Sequence, residues 1–181
     1  MDFKRFTTDG LVISRRNFSE ADRLLKVYTK HFGKLTLIGK GIRKPKSRKR
    51  GSLEVFSHIK FAAATGRNMG IMTEVEIVNS FEAIRKNLKK VALAYFYLEV
   101  IDKLTQEGEK NAELFDFLLQ SFDSLSNEGM LKKAKDDYIV GVLEILGFWP
   151  KMQKLANPNE FLESITERRL TSSRVGKKLL S

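Results

Sequence analysis

Between Lys40 and Arg50 the chain places seven cations in eleven residues, Lys40, Arg43, Lys44, Lys46, Arg48, Lys49 and Arg50, with no acid among them. Ammonium and guanidinium groups at that density suit one task, neutralising the phosphates of a polyanion and releasing its condensed counterions. A solvated loop kept for solubility is the competing reading. Pro45 and Ser47 predict an irregular connection with little order of its own under either. Arg15, Arg16, Lys30, Lys34 and Arg67 fall near expected strand ends and extend the candidate track. Because phosphates carry no base identity, such a track implies no sequence preference. Aromatic side chains are the second ingredient of single-strand binding, through stacking on bases. Phe18, Tyr28, Phe32, Phe56 and Phe61 share this part of the chain. A small barrel needs aromatics in its core, so each has a core reading beside the stacking one. Tyr28 and Phe32, next to Lys30 and Lys34, are the better placed for stacking.

Other chemistries find little support. His31 and His58 are the only histidines and stand far apart, and there is no cysteine, so no metal-ligand spacing exists. The carboxylate pairs Asp136-Asp137 and Glu74/Glu76 read as solvated positions on a helix and an edge strand. No P-loop, GxGxxG or triad spacing occurs, so neither a catalytic site nor a cofactor nor a small-molecule substrate is expected. Lys86, Lys89 and Lys90, like Lys132, Lys133 and Lys135, are either further cationic patches or solvated helix faces. Trp149 follows a helix stop and reads as a core plug.

The net charge of the 181 residues is +11, unevenly distributed. Residues 1–80 carry 17 Lys and Arg against 7 Asp and Glu, whereas residues 81–181 carry 16 against 15. A nucleic acid or an anionic membrane surface is the partner such asymmetry predicts. The start, Met1-Asp2-Phe3-Lys4-Arg5, lacks the apolar core of a signal peptide. The longest apolar run, Val91 to Leu98, is far short of the roughly 20 residues a membrane helix needs. With no cysteine for disulfides, the expectation is a soluble cytoplasmic protein, associated with the nucleoid and not with a membrane.

Two periodicities divide the chain into expected domains at 1–80 and 81–181. Leu11 and Ile13 alternate with Val12 and Ser14, Leu25 and Val27 with Leu24, Lys26 and Tyr28, and Val75 and Ile77 with Glu74 and Glu76. With Leu35–Ile38 and Val55–Ala63 added, five short strands in 80 residues suggest a small closed barrel, of which the OB-fold is the common nucleic-acid-binding example. His31-Phe32-Gly33-Lys34 reads as a hairpin connection. Helical spacing then takes over. Ser80 is the expected cap of a short helix over 81–88, followed by an all-round apolar helix over 88–104 that must be central. A third helix after Asn111 carries Leu114, Phe115, Leu118, Phe122 and Leu125. A fourth over 129–146 buries Leu131, Ala134, Tyr138, Val142 and Leu146, and Gly147 and Pro150 stop it. Short helices are expected over 159–166 and 172–180. The fold class is α+β, an N-terminal five-stranded OB-fold barrel and then an all-α domain.

Several segments resemble one family. Asp9-Gly10-Leu11-Val12-Ile13-Ser14, Ser19-Glu20-Ala21-Asp22-Arg23-Leu24-Leu25 and Tyr28-Thr29-Lys30-His31-Phe32-Gly33-Lys34 look like the opening of the RecO DNA repair and recombination mediators. The basic run from Gly39 to Arg48, the turn Leu146-Gly147-Phe148-Trp149-Pro150 and the tail Arg168-Arg169-Leu170-Thr171-Ser172-Ser173 are similar to later family segments, in the same order. The resemblance implies an OB-fold joined to helices, no catalytic site, and binding to single- and double-stranded DNA. It also implies annealing of complementary strands, contact with RecR and with the acidic tail of the single-stranded-DNA-binding protein, and help in loading recombinase on DNA coated by that protein. Many relatives carry a four-cysteine zinc module after the Gly-Phe-x-Pro turn; here that place holds only Lys151 to about Thr166, without cysteine.

Two other classes stay open on residues alone. The same charge suits an RNA-binding OB-fold protein linked to translation, which affinity for structured RNA against annealing of DNA would separate. A protein-interaction scaffold working through its helical half would tolerate loss of residues 40–50.

Overall fold

The computed structural model describes residues 4–43, 53–65 and 69–166. Alternating side chains build β1 (Lys4–Asn17), β2 (Arg23–Thr29), β3 (Gly33–Gly39), β4 (His58–Thr65) and β5 (Gly70–Asn79). These close into a barrel in the order β1-β2-β3-β5-β4. β3 and β5 meet through a short parallel register, Leu37↔Gly70 to Gly39↔Met72, and the other neighbours are antiparallel. This is the OB-fold expected from the sequence. β1 is much longer than the 11–14 alternation suggests because it serves two partners. Lys4–Leu11 pairs with β4, Gly10–Asn17 pairs with β2, and a register irregularity between Val12 and Ser14 bends the strand from one to the other.

The inward face supplies Val12, Leu25, Val27, Leu37, Ile59, Phe61, Ala63 and Met72 as one core, with Phe6, Leu35 and Val75 packed against it. Val75 thus faces inward as its alternation predicts, while Ile77, two residues on, has left the core and is exposed. Ile42 and Leu53 join this core. They anchor both ends of the connection from β3 to β4. Ile42 lies so close over Gly39 that a Cβ there would meet its Cδ1 at 1.9 Å, so any larger residue at the strand end would have to displace the Ile42 side chain from its buried position. At the turn between β2 and β3, Thr29 Oγ1 donates to the Gly33 carbonyl (2.7 Å) and accepts from Phe32 N–H (3.0 Å). Gly33 takes φ 66°, the left-handed conformation the hairpin reading requires.

The chain forms two compact units, 1–80 together with 105–111, and 81–104 together with 112–181. The returning segment Thr105–Asn111 was not legible as part of the barrel. It runs along the edge of β3 where β5 has not yet joined, with a parallel bridge Lys34↔Glu107 and Gly108 N–H donating to the Lys34 carbonyl at 3.0 Å. Free strand edges invite foreign pairing, and this segment occupies one.

The second unit contains α1 (Glu82–Arg85), α2 (Leu88–Leu104), α3 (Ala112–Asn127), α4 (Leu131–Ile145) and α5 (Pro158–Ile165). α2 packs on α1, α3 and α4, as its apolar circumference demands, though Tyr95 stays exposed. α3 buries the five residues its spacing named. α4 buries Tyr138, Ile139, Val142 and Leu143, so Leu131, Ala134 and Leu146 are only half-buried. Tyr97 and Tyr138 stack with ring centroids 3.7 Å apart, and Tyr138 O–H donates to the Tyr97 carbonyl at 2.8 Å.

Ser80 does not cap α1. Phe81 is the capping residue, buried and left-handed at φ 52°, with no side-chain cap bond. The side-chain cap falls one helix later, where Asn87 Oδ1 accepts from Lys89 N–H and Lys90 N–H (3.0 and 3.3 Å) at the start of α2. Gly147, at φ 76°, ends α4 as expected. Trp149 is half-buried against Phe161 of α5, edge to face at 5.1 Å. The helix expected over 172–180 lies outside the described residues. Among the described residues no helix is long and apolar enough to cross a membrane.

Candidate nucleic-acid interface

The residues singled out by charge separate into two ends of the barrel. β1 ends, β2 begins and β3 ends at one of them, because Arg23 registers with both Asn17 and Gly39. Arg16 is exposed there, on the outer side of the sheet with its partner Leu24. Lys40 and Arg43 are exposed immediately beyond β3. The β1–β2 loop and the root of the cationic connection are stitched together. Gly41 N–H donates to Asp22 Oδ1 (2.8 Å), Arg43 N–H to the Ala21 carbonyl (2.9 Å), and Arg43 Nη1 to the Ser19 carbonyl (2.7 Å). Arg16, Lys40 and Arg43 therefore share one rim, where the connection carrying the remaining cations departs. Lys44, Lys46, Arg48, Lys49 and Arg50 lie outside the described residues, as does Arg67. Lys26, which the charge reading passed over, faces outward from β2 opposite Ser14 and Thr36 and is half-buried. Its period-two position was the signal that could have found it. Arg15 is paired with Glu54, which reduces what it offers a phosphate.

Lys30 and Lys34 are at the other end, about the length of β3 away, roughly 20 Å. Lys34 is a correction. It is buried, and its Nζ donates to the Thr105 carbonyl at 2.6 Å, so this ammonium is spent inside the barrel unit. Thr36 Oγ1 donates to the Glu107 carboxylate beside it. Tyr28, across the ladder from Lys34, is also corrected. It is 0% exposed, and burial with Glu109 nearby pushes its phenol up to about 12, so it offers no stacking face. Phe32 is half-buried, with its ring 4.3 Å from that of Phe6 and Lys110 Nζ 6.0 Å from its centroid. Phe56 and Phe61 are buried. Phe18, at the cationic rim, is the exposed member of the five, at 55%.

The secondary cationic patches are partly structural. Lys90 Nζ donates to the Ser126 carbonyl (2.8 Å), and Lys135 Nζ sits 4.5 Å from the Phe96 ring centroid. Lys86, Lys89 and Lys132 are exposed, and so is Lys133, which pairs with Asp137 at 3.5 Å. Asp136 accepts from Asn159 Nδ2 (3.1 Å), and His58 lies 3.7 Å from Asp9. Among the described residues no group of three or more His, Cys, Asp or Glu is arranged to hold a metal ion.

A closed OB barrel with a cationic rim, followed in sequence by an all-α unit, defines a two-part α+β protein built on a ligand-binding fold. Family comparison then becomes specific. Residues 1–81 match the model described as Recombination protein O N terminal, and residues 85–166 match Recombination protein O C terminal. Curated relatives agree. The DNA repair protein RecO of Roseiflexus sp. (strain RS-1) is 30% identical over 163 residues, 90% of this chain and 57% of that protein. Its namesake in Pelotomaculum thermopropionicum is 30% identical over 156 residues, 85% of this chain and 60% of the relative. The Listeria welshimeri protein of the same name is 27% identical over 148 residues, 82% and 58% respectively. The chain belongs to the RecO family. It spans under two thirds of the length of these relatives, 57–60%.

Proposed function

We propose that this chain acts in DNA repair and recombination as a non-catalytic mediator. It grips single- and double-stranded DNA through the cationic rim and anneals complementary strands. It also helps load recombinase on DNA coated by the single-strand-binding protein, with RecR and that protein's acidic tail as partners. The names of its relatives support the DNA repair setting. The observation that carries the DNA-binding part is the stitched rim: Arg43 and Gly41 tie the root of the cationic connection to the β1–β2 loop, and Arg16 and Lys40 point outward there. Loops flanking the strand 2–3 face are where OB-folds take oligonucleotides.

Annealing requires that two strands be held close while their base edges stay free. A surface directed at the sugar–phosphate chain meets that requirement because phosphate contacts position without reading sequence. On the helical unit, Met130, Leu131, Lys132 and Lys133 line a shallow depression at the start of α4 together with Asp136 and Asp137. Of its two ammonium groups Lys132 is the one on offer to an acidic peptide, Lys133 being paired with Asp137. The test is strand annealing at moderate salt by the chain carrying Lys44→Glu, Lys46→Glu and Arg48→Glu. Loss of annealing with an unchanged melting temperature is expected. Full annealing would refute the reading.

A further inference from the structure

We propose that Phe18 is a stacking platform for one unpaired nucleobase, giving the rim a preference for single strands that its cations alone cannot supply. The inference rests on the reading of the rim as a phosphate-binding surface. It begins from an apolar ring left in water. Phe18 is 55% exposed, while Tyr28, Phe56 and Phe61 are buried in the barrel unit and Phe32 packs on Phe6. Exposed aromatic rings are ordinary by themselves, and Tyr95 and Phe148 are exposed too; what sets Phe18 apart is its place on the rim that carries the exposed Arg16, Lys40 and Arg43.

The loop beneath the ring is braced. Phe18 N–H donates to the Asp22 carbonyl (3.2 Å), and Asp22 N–H donates to Ser19 Oγ (3.3 Å). The far side of the same loop is held by Gly41 and Arg43 through Asp22, Ala21 and Ser19. A ring carried on a braced loop loses little further freedom when a ligand arrives, which favours binding. Arg16 precedes it by two residues, and Lys40 and Arg43 stand across the stitch. An aromatic face among backbone-directed cations is the arrangement single-strand binders use, and it tolerates any sequence because every base has a π-face. In a duplex those faces are already covered by neighbouring bases, so the ring discriminates strand state and not sequence.

The test uses the whole chain, with binding to labelled oligothymidylate and to a duplex of equal length measured across a salt series. Phe18→Ala should weaken oligothymidylate binding about 5- to 100-fold. Duplex affinity should stay within about twofold, and the salt slope should be unchanged, because no phosphate contact is removed. Phe18→Trp should retain affinity and show emission quenched by oligothymidylate, with unsubstituted protein giving the Trp149 background. Equal losses on both ligands, or none on either while the wild-type slope stays steep, would overturn the stacking role alone. A wild-type chain with no salt-dependent binding would overturn the cationic rim and the stacking role with it.

Discussion

The two ends of the barrel start from similar materials and use them in opposite ways. At the β2–β3 turn, Lys34, Tyr28 and Phe32 are absorbed: the amine by Thr105, the phenol by burial beside Glu109, the ring by Phe6. At the other end Arg16, Phe18, Lys40 and Arg43 stay exposed while the backbone beneath them is braced. A cation near a strand end is thus not evidence of a binding surface in itself. What decides is whether another segment of chain buries it: Arg43 gives one bond to the Ser19 carbonyl and stays exposed, whereas Lys34 is covered along with its bond. The segment 105–111 does so at the first end, and it brings two carboxylates, Glu107 and Glu109.

That contrast can be broken by substitution. Lys34→Met should cost about 1–3 kcal/mol in chemical denaturation, because it removes the buried, charge-assisted bond from Lys34 Nζ to the Thr105 carbonyl. The same variant should keep the wild-type salt slope for single-stranded DNA. A slope shallower by about 0.7 would place Lys34 on the track after all. Lys40→Ala with Arg43→Ala should do the reverse, shortening the slope by about 1.4 while changing stability by less than about 1 kcal/mol. Were the double variant to unfold readily with its slope intact, these two cations would be structural and the comparison would invert.

The smallest effect is expected away from both ends. The Glu128 carboxylate accepts from Met130 N–H (2.7 Å) and Gly129 N–H (2.8 Å) at the entry to α4, and these bonds hold its pKa below the usual carboxylate value. A depressed carboxylate pKa stabilises the fold above the unfolded-state value and loses that contribution as pH falls through the folded-state value. Glu128→Gln should therefore lower the melting temperature slightly at neutral pH. The difference from wild type should vanish on acidification below the carboxylate range. A difference that persists at low pH would assign the effect to packing.

Much of the architecture was legible because local patterns govern it. The strict three- and four-residue steps of α3 leave one face to bury, and all five named residues are buried. The barrel was legible as alternation, but not the length of β1, since one strand shared between two partners around a bend shows no periodicity break that composition can reveal. The β4 boundary moved from Val55 to His58 because Phe56 turns the chain at φ 55° before the strand begins. At the candidate site, the cationic rim was visible as charge. The fate of Lys34 and Tyr28 was not, because the segment that covers them lies about 70 residues further along the chain. Exposure of Phe18 instead of Tyr28 likewise follows from tertiary packing, to which a single sequence gives no local clue.

The most direct test is the salt dependence of single-stranded DNA affinity for the whole chain and for Lys44→Ala, Lys46→Ala, Arg48→Ala. With about five phosphates engaged, log affinity should fall against log salt with a slope of about −3 to −4. Removing three of those contacts should make it shallower by about 2. A wild-type protein that leaves oligonucleotides unbound in dilute buffer, or a triple variant with an undiminished slope, would contradict the account.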